Sequence, residues 1–198
     1  MSAAPADPGL LPMLRSLLRG RVVIMGIGNP LRGDDAVGSV VARLLRDSLQ
    51  ATSSTTHATA ATVLDVEEIP ESWLGPAVAA RPDVVLLIDA AELGAPPGAT
   101  ALLPARELVG RALFTHRTPL RPLTEYLESE TGAQVALLAV QPGPLRWGDE
   151  LSPPVAAAAR DLAFVLTEML AGASTAAAAR AAVPARRSGD SAPEAIAC

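Results

Sequence analysis

This chain has little of several things that usually announce a function. It has one cysteine, Cys198. That rules out an internal disulfide framework and a cysteine-based zinc site, and suits a reducing compartment. Aromatic residues make up 3% of the 198 residues, so the core must be aliphatic. No apolar run approaches the roughly 20 residues that span a bilayer. Met1–Gly20 lacks a basic stretch followed by an apolar run, so a secretory signal is not expected. The expectation is a cytoplasmic protein without a membrane partner. Basic residues occur singly or in short pairs and the net charge is −5, which argues against a nucleic-acid surface. There is no Gly-Lys-Ser/Thr for a phosphate-cradling loop and no His-Glu-x-x-His for an ordinary zinc peptidase.

What is present alternates between strand-like and helix-like segments over residues 21–172. Arg21–Met25, Thr62–Val66, Val84–Ile88 and Val135–Val140 are short aliphatic runs of the kind buried on both faces of a parallel sheet. Thr100–Leu103 follows Pro96-Pro97-Gly98 and reads as an edge strand. Val37, Val40, Val41, Leu44 and Leu45 form a helical stripe. Leu120, Leu123 and Leu127 mark a second helix, closed by Gly132. Residues 153–170 make a third, opened by Pro153 and Pro154. The expectation is a single α/β domain of three layers. Its twisted, mostly parallel sheet would have about five strands, with helices on both faces.

Outside that domain, residues 1–20 form an Ala/Pro-rich extension. Its Leu10, Leu11, Leu14, Leu17 and Leu18 fit either a docked helix or a loose segment. Residues 173–198 lack large apolar side chains and read as a disordered, low-complexity tail. Residues 50–62 read as an Ala/Ser/Thr linker.

Ligands of such sheets bind beyond the carboxyl ends of the strands. The polar residues found there are Asn29, Asp34 and Asp35, then Asp65, Glu67 and Glu68, then Asp89, then Gln141. A dinucleotide reading fails at this rim. Gly26-x-Gly28 matches only part of the fingerprint, with Leu31 in the third glycine's place. Asp34 and Asp35 stand where the pyrophosphate would sit, and like charges about 4 Å apart repel by roughly 4 kcal/mol near a protein surface.

A metal reading fares better. His57 falls in the linker, but His116 falls in a loop just before a helix. With Asp35 and Asp89 it completes two carboxylates and one imidazole, a set that leaves coordination positions open and suits zinc, nickel or iron. Simpler roles stay available. Asp34 fits a helix N-cap, Asp35 a first-turn acid favoured by the helix dipole, and Asp89 a turn opener.

The motifs resemble those of the hydrogenase maturation endopeptidases. Gly26-Ile27-Gly28-Asn29-Pro30-Leu31-Arg32-Gly33-Asp34-Asp35-Ala36-Val37-Gly38 is similar to the opening motif of that family, and Leu86-Leu87-Ile88-Asp89-Ala90-Ala91-Glu92-Leu93-Gly94 to its second. Thr115-His116-Arg117-Thr118-Pro119-Leu120 is similar to its third. Gln141-Pro142 resembles a pair in members acting on formate-hydrogenlyase-type hydrogenases.

The resemblance runs from about Val22 to Leu170. It implies a five-stranded sheet with one antiparallel strand, and metal ligands at Asp35, Asp89 and His116. It also implies a nickel-dependent cut that removes the C-terminal extension of a nickel–iron hydrogenase large-subunit precursor. The nickel would arrive in that precursor. No nucleotide cofactor is expected.

The sequence departs from the family after the second strand, where many members carry a glycine pair. Here the chain reads Asp65-Val66-Glu67-Glu68-Ile69-Pro70-Glu71. Asp35 stands where some members carry Glu, which keeps the carboxylate and shortens its reach. No separate general base stands out; Glu67 and Glu68 are candidates, though a solvated acidic loop is the simpler reading. A second functional reading is a module that binds the nickel-loaded precursor without cutting it.

Overall fold

The computed structural model describes residues 9–52, 61–108, 120–145, 147, 148 and 150–181. Its strands are β1 (Val22–Ile27), β2 (Ala61–Glu67), β3 (Val84–Ala90), β4 (Thr100–Pro104) and β5 (Gln134–Val140). They form one sheet in the order β2-β1-β3-β5-β4. β2, β1, β3 and β5 pair in parallel, and β4 closes one edge antiparallel to β5. The helices are α1 (Leu10–Leu17), α2 (Val37–Thr52), α3 (Leu74–Ala79), α4 (Leu120–Thr131) and α5 (Pro153–Ala181).

The central strands β1 and β3 are buried along their whole length, so their alternating side chains feed two cores. Val22, Ile24, Leu86 and Ile88 point into one core, with Leu10 and Leu14 of α1, Val37, Val41 and Leu45 of α2, and Leu162 and Leu166 of α5. Val23, Met25, Val85 and Leu87 point into the other, with Ala77 of α3 and Leu120, Leu123 and Leu127 of α4. The three layers expected from the alternation of apolar runs are therefore present.

The N-terminal leucines resolve to a docked helix. Leu10, Leu14 and Leu17 are buried, while Leu11 and Met13 face outward. The last helix runs on to Ala181, past the expected stop near residue 170 and into the segment read as a disordered tail. The physical reason is that alanine has the highest intrinsic helix propensity, so an Ala-rich extension of a packed helix continues it without large apolar side chains. Residues 182–198 lie outside the described residues, as does His57. Among the described residues, no helix is long and apolar enough to cross a membrane.

The chain leaves β1 toward β2 at one side and leaves β3 toward β4 and β5 at the other. The carboxyl ends of β1 and β3 thus flank the switch point where doubly wound sheets open a crevice.

Candidate metal centre

Three glycines bring the start of α2 down onto that switch point. A Cβ on Gly38 would meet the carbonyl oxygens of Ile88 at 2.1 Å and Ile27 at 2.3 Å. A Cβ on Gly26 would meet the Gly38 carbonyl oxygen at 2.2 Å, and one on Gly28 the Asp35 carbonyl oxygen at 2.3 Å. The glycines expected to make a tight strand-to-helix turn serve a backbone–backbone approach instead of a phosphate. Asn29 shapes the turn that follows, its Oδ1 accepting the Leu31 N–H at 2.8 Å. A single 3₁₀ turn, Gly33–Ala36, then carries Asp34 and Asp35 against β3.

The two neighbouring aspartates have different tasks. The Asp34 carboxylate accepts hydrogen bonds from the N–H of Gly143 at 2.8 Å, the N–H of Ser152 at 2.6 Å and the Ser152 hydroxyl at 2.8 Å. It does not cap the helix, as its type and position suggested; the turn it sits in has no side-chain cap. Donors brought from the distant β5–α5 loop take up both of its oxygens, and those bonds tie that loop to the loop after β1.

Asp35 is wholly buried, and the Arg32 guanidinium stands 4.0 Å from its Oδ2. Asp89, at the end of β3, is wholly buried as well. Its Oδ1 accepts the Ala90 N–H at 2.7 Å. Burial pushes the Asp89 carboxyl well above the usual carboxylate range, the Ala90 bond opposes this, and the negative charge of Asp35 adds to it. The two carboxylates expected to share a metal are thus both buried, and the charge of Asp35 bears on Asp89.

His116 lies outside the described residues. Among those described, no three His, Cys, Asp or Glu side chains are grouped to hold a metal. α4 begins four residues after His116 in the sequence, and its Leu120 packs on the face shared with Val85 and Leu87. Strand alternation turns Asp89 toward that same face.

The other rim residues separate into supports and bystanders. Asp65 does not belong to the site. Its carboxylate takes a very short hydrogen bond from the buried Ser39 hydroxyl and pairs with Arg43 Nε at 3.2 Å, both on α2. Gln141 is buried and holds the loop after β3. Its Oε1 accepts the Leu93 N–H at 2.6 Å, and its Nε2 donates to Glu92 Oε2 at 3.2 Å and the Pro142 carbonyl at 3.0 Å. Glu67 and Glu68 are exposed at the β2 tip.

The acidic departure at Glu67 keeps an unusual backbone. Glu67 has φ +49°, next to a register shift in which Ile27 pairs with Glu67 while Gly26 pairs with Asp65. Its carbonyl accepts the Gly28 N–H at 3.0 Å. A glycine meets that conformation without strain, so the local geometry is of the kind a glycine would serve.

No protein-family model matches the chain. It is 32% identical to the crystal structure of a nickel–iron hydrogenase maturation protease, HycI, from Thermococcus kodakarensis KOD1, with a TM-score of 0.71. That match covers 80% of this chain and 99% of the other. It is 26% identical over 121 residues to the hydrogenase 3 maturation protease of Escherichia coli K12, which is 61% of this chain and 72% of that protein. The hydrogenase-maturating endopeptidase HybD of E. coli, at 20% identity and a TM-score of 0.57 over 77% of this chain and 93% of its own, shares the fold.

Proposed function

This chain belongs to the hydrogenase maturation protease family, a family of processing endopeptidases, and from that premise we propose a nickel-guided cut. The substrate of the proposed reaction is the large-subunit precursor of a nickel–iron hydrogenase, from which a C-terminal extension is removed. Nickel enters with the precursor and is part of the substrate.

The observation that carries this reading is the pair of wholly buried carboxylates, Asp35 and Asp89, at the β1–β3 switch point. Burial, and to a lesser degree the negative charge of Asp35, raise the Asp89 carboxyl and make its ionised form costly. A divalent cation offsets that cost. Two carboxylates with the imidazole of His116 as third donor form a mixed oxygen and nitrogen set, which suits a borderline ion such as nickel.

In the proposed reaction Asp35, Asp89 and His116 seat the metal borne by the precursor, which supplies Lewis-acid polarisation of the scissile carbonyl or activation of a water. Asp34 holds the loop of Asp35 against the β5–α5 loop. Gln141 holds the segment that follows Asp89. Glu67 and Glu68, exposed at the β2 tip, have no part in this scheme.

Purified protein should shorten a nickel-loaded precursor and leave the nickel-free precursor intact, read by mass spectrometry of the precursor's C-terminus. Equal processing of both would overturn the nickel guidance. No processing of either would overturn the precursor as substrate.

A further inference from the structure

Two large apolar side chains stand exposed on the two loops that the Asp34 carboxylate ties together. Leu31 is 66% exposed and Trp147 is 71% exposed. Isolated exposed apolar residues need no explanation. These two are not isolated in the backbone. Gly148 donates its N–H to the Leu31 carbonyl at 2.9 Å, so the residue next to Trp147 is fastened to Leu31 itself. The Asp34 carboxylate fastens the same two loops again through Gly143 and Ser152. The Leu31 loop is also continuous with the metal site, because the Asp35 N–H returns to the Arg32 carbonyl at 3.2 Å.

We infer that Leu31 and Trp147 form an apolar seat for the precursor polypeptide, taking an apolar side chain of the precursor beside the metal site. The inference rests on the processing function proposed above and names the surface that grips its substrate. The occupant follows from position. Leu31 lies four residues ahead of Asp35, on the loop whose Arg32 carbonyl takes the Asp35 N–H, so a polypeptide held at Asp35 lies next to that loop. It follows also from chemistry. The cation of that loop, Arg32, sets its guanidinium 4.0 Å from Asp35, and Leu31 is the more exposed of the two neighbouring side chains. Burying an exposed leucine and tryptophan under a partner gains hydrophobic free energy that folding left unused.

The chain has two tryptophans, Trp73 and Trp147, so Trp73→Phe leaves Trp147 as the single reporter. Adding nickel-loaded precursor should shift its emission to the blue as water leaves the indole. Leu31→Ala and Trp147→Ala should each raise KM for that precursor about tenfold, while kcat falls by less than about twofold, the mark of lost uniform binding. Three results would overturn the seat. One is an unchanged KM in the double variant with a native circular-dichroism spectrum. Another is Trp147 emission that stays fixed at saturating precursor while cleavage proceeds. The third is a blue shift that follows protein concentration without precursor, which would make a second copy of this chain the occupant. A precursor-dependent blue shift without cleavage would support the seat and overturn the processing function instead.

Discussion

Ser152 gives the Asp34 carboxylate two hydrogen bonds, one from its N–H at 2.6 Å and one from its hydroxyl at 2.8 Å. The two residues are 118 positions apart, so this contact joins the first loop of the sheet to the entry of α5. With the Gly143 N–H, three donors converge on one buried side chain.

Removing that side chain should be costly. Asp34→Ala leaves three donors without their acceptor and should lower stability by about 2–4 kcal/mol, read from denaturant midpoints at unchanged m. Asp34→Asn retains one acceptor oxygen and should cost less. A loss below about 0.5 kcal/mol in the alanine variant would show that the two loops hold without the carboxylate.

Asp35, Asp89 and His116 should be separable from stability. Asp35→Ala, Asp89→Ala and His116→Ala should each reduce processing of nickel-loaded precursor by at least about a hundredfold in initial rate. Asp89→Asn should also raise the stability of the metal-free protein. The folded Asp89 carboxyl has a raised affinity for its proton, so the wild type loses stability as pH rises through that range, and Asn does not. The gain should therefore be largest at high pH and vanish in acid. A variant no more stable at pH 8 than at pH 4, relative to wild type, would contradict this.

Gly38 lies under the strictest steric demand at the site. Gly38→Ala places a methyl against the backbone oxygens of Ile88 and Ile27, at 2.1 Å and 2.3 Å, where no flexible atom can give way. The variant should lose at least about 3 kcal/mol and lose processing with it. Thermal unfolding midpoints within a degree of wild type would refute the close approach of α2 to the sheet.

Glu67 invites the opposite change. At φ +49° a side chain is strained by about 1–2 kcal/mol, while glycine adds conformational entropy to the unfolded chain. Glu67→Gly should be neutral or more stable by up to about 1 kcal/mol. Marked destabilisation would mean that the Glu67 side chain, and not its backbone, supports the β2 tip.

Asp83 sets a separate pH dependence at the other end of the sheet. It accepts hydrogen bonds from the Arg21 N–H and guanidinium, which hold its carboxyl below the usual range. Its stabilising contribution is present above the unfolded carboxylate range, near pH 3.8, and is lost as pH falls through the lowered folded value. Asp83→Asn should be less stable than wild type at neutral pH, and the gap should close in acid. A gap independent of pH would assign the contact to packing.

The fold was largely legible because its signals are local. Val37, Val41 and Leu45 repeat at the helical period, and β1, β3 and β5 are unbroken aliphatic runs. The edge position of β4 could be read from the Pro96-Pro97-Gly98 turn ahead of it. Less legible were α3, a short helix containing Pro76, and the full length of α5. Six residues carry too few turns to show a period, and a run of alanines carries no apolar stripe to follow.

The candidate site divides along the same line. That Asp35 and Asp89 stand at strand ends could be read from the sequence, because each follows an aliphatic run directly. Their shared burial, and the separate employments of Asp34 and Asp65, were settled by tertiary structure. Asp34 bonds Ser152 from 118 positions away, and Asp65 bonds Ser39 from 26. A carboxylate's role is set by which donors or charges reach it through space, and neither side-chain period nor residue type carries that distance. The sequence by itself determined the layers, the strands and the two aspartates beyond the ends of β1 and β3. The packed chain decided which acids are staples, which is paired away on α2, and which two are wholly buried at the ends of β1 and β3.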